Sequence, residues 1–403
     1  MVPRLAFLAE HYPPTDGGVA TSAQRVARAL VREGAKVQVL CFDHSRPLTS
    51  PDYVVHDVDE GVSIARVGPF FLKQKNIRAD ELEERIKAIF RRRAFDQMLR
   101  IVGASPVDAV LSFYLLNAGF IARFVGSAVN VPVISGVRGN DIGRNMFHVE
   151  RFGVIRWVIE GSSRVVCVNE YLKSRLLLAF PWAAPSVSVV PNSVALDDPT
   201  CSRESSRQRL ASITGWDPRD LWATFIGNLR EKKGIAQLIA AMAALPAGSP
   251  VRLLVVGPEP NPRERLLCGD NWATLQGQGR IHVTGQVSRD EVPLWIKGCD
   301  VVLMPSLDDG MANGLLEGMA AGLCPVATTI FADTIAPDSG VLVAPGSPAA
   351  LTAALESLAA DRQRVRLLGD AARQRVMRFG PADEAKAYLS LVAEAVRSPV
   401  ALA

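Results

Sequence analysis

The chain lacks any uncharged apolar run of about 18 residues, the length a membrane-spanning helix requires. Its longest candidate, residues 109–122, is interrupted by Asn117 and bounded by Asp108 and Arg123. The first fourteen residues carry one early Arg and too short an apolar run for a secretion signal, and read instead as a first buried strand. No C-x-x-C spacing occurs: Cys41, Cys167, Cys201, Cys268, Cys299 and Cys324 are scattered. That suits free thiols in a reducing cytoplasm better than a disulfide framework or a zinc site. No one sign of charge dominates, since 45 basic residues face 41 acidic ones for a net +4. This is too weak to argue for a nucleic-acid partner. Neither G-x-G-x-x-G nor G-x-x-x-x-G-K-[ST] is found, which counts against a dinucleotide dehydrogenase and a P-loop NTPase.

What is present is a 403-residue chain with 48% hydrophobic and 21% charged residues, enough for two domains with their own cores. Short β-branched apolar runs alternate with segments of helical period. Strands are expected at 4–9, 36–41, 109–113, 131–135, 164–168 and 187–190, then at 222–226, 252–256, 281–284, 300–304 and 324–327. A helix over 21–33 would turn Ala23, Val26, Ala27, Leu30 and Val31 inward. Continuous apolar strands between helices imply parallel sheets covered on both faces, and hence two doubly wound α/β domains. The expected division is a first domain 1–191, a polar linker 192–219, a second domain 220–382 that ends in its own helix 348–379, and a C-terminal helix 383–403.

One segment stands apart. Between residues 73 and 100 lie Lys73, Lys75, Arg78, Arg85, Lys87, Arg91, Arg92, Arg93 and Arg100, with Leu82, Ile86, Ile89, Phe90 and Met98 on one helical side. It reads either as a surface helix packed inward or as an interfacial helix drawn to anionic lipid head groups. Asp80, Glu81, Glu83 and Glu84 dilute its positive charge.

In parallel α/β domains ligands sit at the carboxyl ends of strands, and four such loops carry candidate chemistry. After the first strand, Gly17 and Gly18 would let backbone N–H groups approach a phosphate at a helix start; a flexible turn is the plain alternative. Gly227-Asn228-Leu229-Arg230-Glu231-Lys232-Lys233-Gly234 places three cations where a diphosphate could sit, although exposed loops often carry Lys and Arg. In the third loop, Asp309 and Gly310, Met311, Ala312, Asn313 and Gly314 lead into a helix bearing Glu317. That carboxylate could accept two hydrogen bonds from vicinal hydroxyls such as those of ribose, and Asp309 could meet sugar hydroxyls. Alternatively Asn313 caps the helix and Glu317 is a first-turn acid favoured by the dipole. In the fourth, Arg138-Gly139-Asn140-Asp141 suits either substrate contact or an Asx turn.

Taken together these stretches resemble the retaining glycosyltransferases of family four, which have the GT-B architecture. The resemblance rests on Pro13-Pro14 with Gly17-Gly18-Val19, on Val190-Pro191-Asn192-Ser193-Val194, on Gly227 with Lys233-Gly234, on Pro305-Ser306, and on 309–322. It implies two Rossmann-like domains facing each other across a cleft, with acceptor contacts in the first and nucleotide-sugar contacts in the second. The family's paired glutamates are represented by Asp309 and Glu317. The resemblance assigns Glu317 to the ribose and Asp309 to the donor sugar, while Lys233, Arg230 and the helix start at 312–314 would neutralise the departing diphosphate. Gly285, Gln286 and Val287 fall at the base slot. Acceptor contacts would come from Arg138, Asn140 and Asp141.

Three departures are visible: Asp309 where the family carries the first of its paired glutamates, Asn228 where relatives carry Arg, and Arg138 where many carry His. The implied activity is transfer of a sugar from a UDP-sugar, or next a GDP-sugar, to a hydroxyl acceptor in surface-glycan, glycolipid or secondary-metabolite synthesis. It would need no metal and no cofactor, and would take place in the cytoplasm, with peripheral membrane contact through 73–100 as the one membrane reading. A nucleotide-sugar 2-epimerase and a non-catalytic nucleotide-sugar-binding protein are the alternatives.

Overall fold

The structure, a computed structural model, describes residues 2–15, 17–70, 81–194 and 201–397, the side chains of 81–84 excepted. Two compact units emerge, Met1–Asn192 with Pro381–Ala403, and Ser193–Gly380.

The first unit contains β1 (Arg4–Ala9), β2 (Lys36–Phe42), β3 (Tyr53–Asp59), β4 (Val62–Gly68), β5 (Ala109–Ser112), β6 (Val133–Val137), β7 (Arg164–Cys167) and β8 (Val187–Val189). They form one sheet in the order β3-β4-β2-β1-β5-β6-β7-β8. All neighbours are parallel except the hairpin β3–β4. That hairpin was not expected from the sequence. β3 is an edge strand exposed over 55–58, so its His56, Asp57 and Asp59 hide the apolar signal that buried strands display. The helix Gly18–Arg32 buries Ala23, Val26, Ala27 and Leu30. The C-terminal helix Pro381–Arg397 adds Ala385, Tyr388, Leu391, Val392 and Ala395 to the same core cluster.

The second unit contains β9 (Leu221–Ile226), β10 (Val251–Val256), β11 (Ile281–Val283), β12 (Val301–Met304), β13 (Cys324–Thr328) and β14 (Val341–Val343). Their order is β11-β10-β9-β12-β13-β14, and every pairing is parallel. The short β14 was not foreseen.

The stretch expected as a linker contains the helix Arg203–Thr214, which lies within the second unit. Its anchor is Asp300, only 4% exposed. Asp300 accepts from Arg203 Nη2 at 2.7 Å, from Arg207 Nη1 at 3.1 Å and from the Trp222 backbone N–H at 2.9 Å, and pairs with Arg362 at 2.9 Å. The long helix expected over 348–379 is two helices, Pro348–Ala360 and Arg362–Val376, because Asp361 caps the second by accepting from the Arg364 N–H at 2.9 Å. Residues Asp197, Asp198 and Pro199 of the expected linker lie outside the described residues, as do Lys73, Lys75 and Arg78.

The basic segment forms the helix Glu81–Ala104. Phe90, Ala94, Met98 and Val102 pack into the core, whereas Ile89 is 58% exposed. Arg91 turns inward to Asn117, Arg93 pairs with Asp52 at the surface, and Arg92 stays exposed. The side chain of Leu82 is not among those described. No described helix is long and apolar enough to cross a membrane.

In each sheet the chain runs outward from a central strand in one direction and then returns to its other side. The reversal falls between β1 and β5 in the first unit and between β9 and β12 in the second. Both are switch points of the kind where such sheets bind ligands.

Candidate active site

In the second unit, β9 is buried throughout and ends at Ile226. Gly227 has φ 117°, a backbone region that disfavours any side chain, and Asn228 and Arg230 are exposed beyond it. A short turn, Glu231–Lys233, follows, and then Gly234 with φ 76° opens the helix Ile235–Ala244. A Cβ at Gly234 would collide with the Pro305 carbonyl, so the loop after β9 lies directly against the end of β12. The Leu307 N–H donates to the Lys232 carbonyl at 2.8 Å and stitches the two loops together.

This contact brings together two residues that lie 76 positions apart in sequence: Lys233 Nζ donates to Asp309 Oδ2 in a largely buried ion pair. The Gly310 N–H donates to Asp309 Oδ1 at 3.0 Å, and Ser306 Oγ lies 3.4 Å from Oδ2. Burial pushes the Asp309 carboxyl up, but the charges of Lys233 and Lys232 outweigh it and hold the carboxyl below its usual range. Burial lowers Lys232, against the pull of Asp309. Lys233 thus holds the Asp309 carboxylate that the sequence offers to sugar hydroxyls. Arg230, one of the cations expected at the diphosphate, is exposed at the start of the turn.

Downstream, Gly310, Met311 and Ala312 are buried, and Asn313 and Gly314 are half-buried. Ala312, rather than Asn313, is the N-cap of the helix Asn313–Ala320, and no side chain caps it. A Cβ at Gly314 would lie 2.6 Å from the Ile226 carbonyl oxygen, so this glycine lets the helix approach β9. Glu317 sits one turn into the helix, 3.6 Å from Arg289 Nη2. Arg289 follows the loop of Gly285, Gln286 and Val287. Gly285 has φ 75° and bridges to Gly257, while Gln286 is exposed. The loop of Gly285, Gln286 and Val287, Glu317 and the Lys233–Asp309 pair thus line the carboxyl ends of β11, β12 and β9. Arg289 was missed by the sequence reading, because a cation on an exposed loop has no local signal.

The acceptor-side residues of the first unit behave differently. Asp141 is fully buried; its Oδ1 accepts from the Leu115 N–H at 3.1 Å and its Oδ2 from the Arg138 N–H at 2.8 Å. Burial pushes its carboxyl up to about 7 in spite of these bonds. The Arg138 guanidinium donates to Asn192 Oδ1 at 2.9 Å and to the Tyr388 hydroxyl at 2.8 Å, and lies 3.4 Å from the Phe113 ring centroid. Arg138 and Asp141 therefore tie the loops after β5 and β6 to the C-terminal helix; they are not poised for an acceptor. Asn140 is exposed and bonded to Tyr114. Gly17 has φ 130° at the start of the helix Gly18–Arg32, and an added Cβ there would meet open space.

Two family profiles cover most of the chain, "Glycosyl transferases group 1" over residues 221–361 and "Glycosyl transferase 4-like domain" over residues 17–193. The chain belongs to the group 1 glycosyltransferases.

Among relatives of this glycosyltransferase, a D-inositol 3-phosphate glycosyltransferase of Xylanimonas cellulosilytica is 27% identical, over 98% of this chain and 97% of the relative. A 2-deoxystreptamine glucosyltransferase of Streptomyces kanamyceticus is 28% identical over 49% of this chain and 51% of its own. The fold matches solved structures. Anabaena HepE in complex with UDP and glucose superposes with TM-score 0.72 at 16% identity, covering 97% of this chain and all of HepE. Sucrose-phosphate synthase of Thermosynechococcus elongatus gives 0.76 at 18% identity, over 97% and 98% of the two chains. The group 1 glycosyltransferase thus has the GT-B fold, built from two parallel-sheet Rossmann-like units.

Proposed function

We propose that this transferase moves a sugar from a UDP-sugar to a hydroxyl acceptor with retention of anomeric configuration and without a metal ion. One observation carries the donor assignment. The ammonium of Lys233 and the carboxylate of Asp309 meet at the switch point of the second sheet, with Glu317 on the helix leading away from it. There the diphosphate takes over the Lys233 ammonium, Arg230 adds charge from the same loop, and Asp309 turns to the sugar hydroxyls. Glu317 exchanges Arg289 for the ribose. Fixed cations then stabilise the charge that grows on the leaving phosphate. The acceptor oxygen bonds to the anomeric carbon as the bond from that carbon to phosphate breaks, and the hydroxyl proton goes to the departing diphosphate. No protein nucleophile is named.

The presence of UDP in the HepE complex supports UDP as the base-bearing moiety, with GDP next. Acceptors with a polyhydroxylated ring, such as D-inositol 3-phosphate or 2-deoxystreptamine, are the first to try, after the substrates for which two relatives are named.

Calorimetry with UDP tests the reading. Glu317→Gln is expected to weaken UDP binding at least tenfold with the fold intact. Lys233→Ala is expected to slow turnover of UDP-glucose by roughly 10- to 100-fold, the scale of losing one charge-stabilising donor. Unchanged UDP affinity in the first variant or wild-type kinetics in the second refutes the assignment. Tighter binding of GDP than of UDP moves the donor class.

A further inference from the structure

The switch point of the first unit, between β1 and β5, holds a polar cluster that the donor reading leaves unused. Glu10 follows immediately on β1. Its Oε1 accepts from Asn117 Nδ2 at 3.1 Å, and Asn117 Oδ1 in turn accepts from Arg91 Nε at 3.1 Å. Arg91 comes from the basic helix Glu81–Ala104, so this cation is spent inward. The relay has a direction: Arg91 holds the amide oxygen of Asn117, which leaves its NH₂ group facing Glu10.

Glu10 Oε2 makes no hydrogen bond or ion pair among the described residues. Beside it, His11 Nδ1 is shielded from solvent and without a partner. A buried polar atom left unpaired costs about 1–3 kcal/mol, so His11 Nδ1 beside the half-buried Glu10 carboxylate at a ligand-binding edge marks a place for a polar group. The surrounding loops bring His44 after β2, Tyr114 after β5, Asp141 after β6, and Arg151. The His44 and His11 rings lie 6.5 Å apart, and His44 Nδ1 is 2.8 Å from the Phe70 carbonyl.

We propose that Glu10, oriented by Asn117 and Arg91, binds a hydroxyl group of a polyhydroxylated acceptor and so sets acceptor specificity. Asn117 and Arg91 are positioning residues in this arrangement. The inference rests on the reading of the chain as a hydroxyl-directed transferase and deepens it.

Burial holds the Glu10 carboxyl above its ordinary value of 4.5, against the Asn117 hydrogen bond and the charges of His44, Arg91 and Arg151. The hydroxyl-accepting form is therefore lost at higher pH than for an ordinary glutamate. The acceptor KM rises as the solution is acidified, and Glu10→Gln flattens that rise.

The test uses the full chain with UDP-glucose as donor and myo-inositol and methyl α-glucoside as acceptor probes. Glu10→Gln and, separately, Asn117→Ala are expected to raise the acceptor KM at least tenfold while leaving the UDP dissociation constant unchanged. A wild-type acceptor KM in Glu10→Gln overturns the proposal, and so does the absence of transfer to either probe by wild-type protein that binds UDP. Loss of UDP binding in both variants would assign Glu10 to the fold and overturn it as well. Absence of UDP binding by the wild-type chain is a separate result: it would sink the donor reading.

Discussion

Asp141 shows how one carboxylate can look like a ligand in sequence and serve the fold in space. Both of its oxygens are taken by backbone N–H groups from two different loops. Asparagine at this site keeps one acceptor and turns a second donor toward an existing N–H, so Asp141→Asn should cost about 1–3 kcal/mol. The sign with pH follows from the raised carboxyl, near 7 against 3.8 in the unfolded chain. The protonated form favours the fold, so this stability is full below pH 3.8 and is lost as pH rises through 7. The penalty of Asp141→Asn in denaturant titrations should therefore be larger at pH 5 than at pH 8.

Asp309 has the opposite sign. Its carboxyl is depressed by Lys233 and Lys232, so its contribution is present above 3.8 and fades on further acidification. Asp309→Asn should destabilise the protein at pH 7, and the difference from wild type should shrink toward pH 3.

At the level of elements, the helix Arg203–Thr214 illustrates how buried charge can assign a segment to a unit. Its sequence is polar, and only Ser206 and Leu210 are buried, so packing of apolar surface does little to hold it. Asp300 does, through Arg203 and Arg207. Arg203 stays half exposed, so removing Asp300 strands chiefly the shielded Arg207, at about 3 kcal/mol. Asp300→Ala should therefore release this helix, seen as faster amide exchange over 203–214 than over β9.

The C-terminal helix has the complementary logic, with apolar residues at helical spacing that cover the helix Gly18–Arg32 and Tyr388 bonded to half-buried Arg138. Tyr388→Phe should lower stability by about 1–3 kcal/mol through the arginine donor it strands. A melting temperature equal to wild type would remove that role from the tyrosine hydroxyl.

At the level of the whole molecule, the two sheets share one plan, a central strand with neighbours added first on one side and then on the other. Ligand chemistry gathers where that direction reverses. UDP at 100 times its dissociation constant should stabilise the folded chain by about 2.7 kcal/mol. Amide protection should concentrate in 227–234, 285–289 and 309–317. Chelation of divalent cations should leave UDP-glucose turnover unchanged if Lys233 and Arg230 supply the charge; loss of turnover with EDTA, restored by a divalent ion, would transfer that role to a metal.

Much of this was written in the chain. Buried parallel strands such as β1, β9 and β12 announce themselves because both faces must be apolar, and glycines at Gly17, Gly227 and Gly234 mark backbone that side chains cannot adopt. The spacing of Asp309 and Glu317 placed both near one helix start, since helix geometry is local. Pairing is not local. That Lys233 would meet Asp309, that Arg91 would orient Asn117 toward Glu10, and that Asp141 would be consumed by backbone donors depend on which strand ends become neighbours. Strand order is set by the burial of whole sheet faces, so only the folded chain could decide which charges meet and which remain for a ligand.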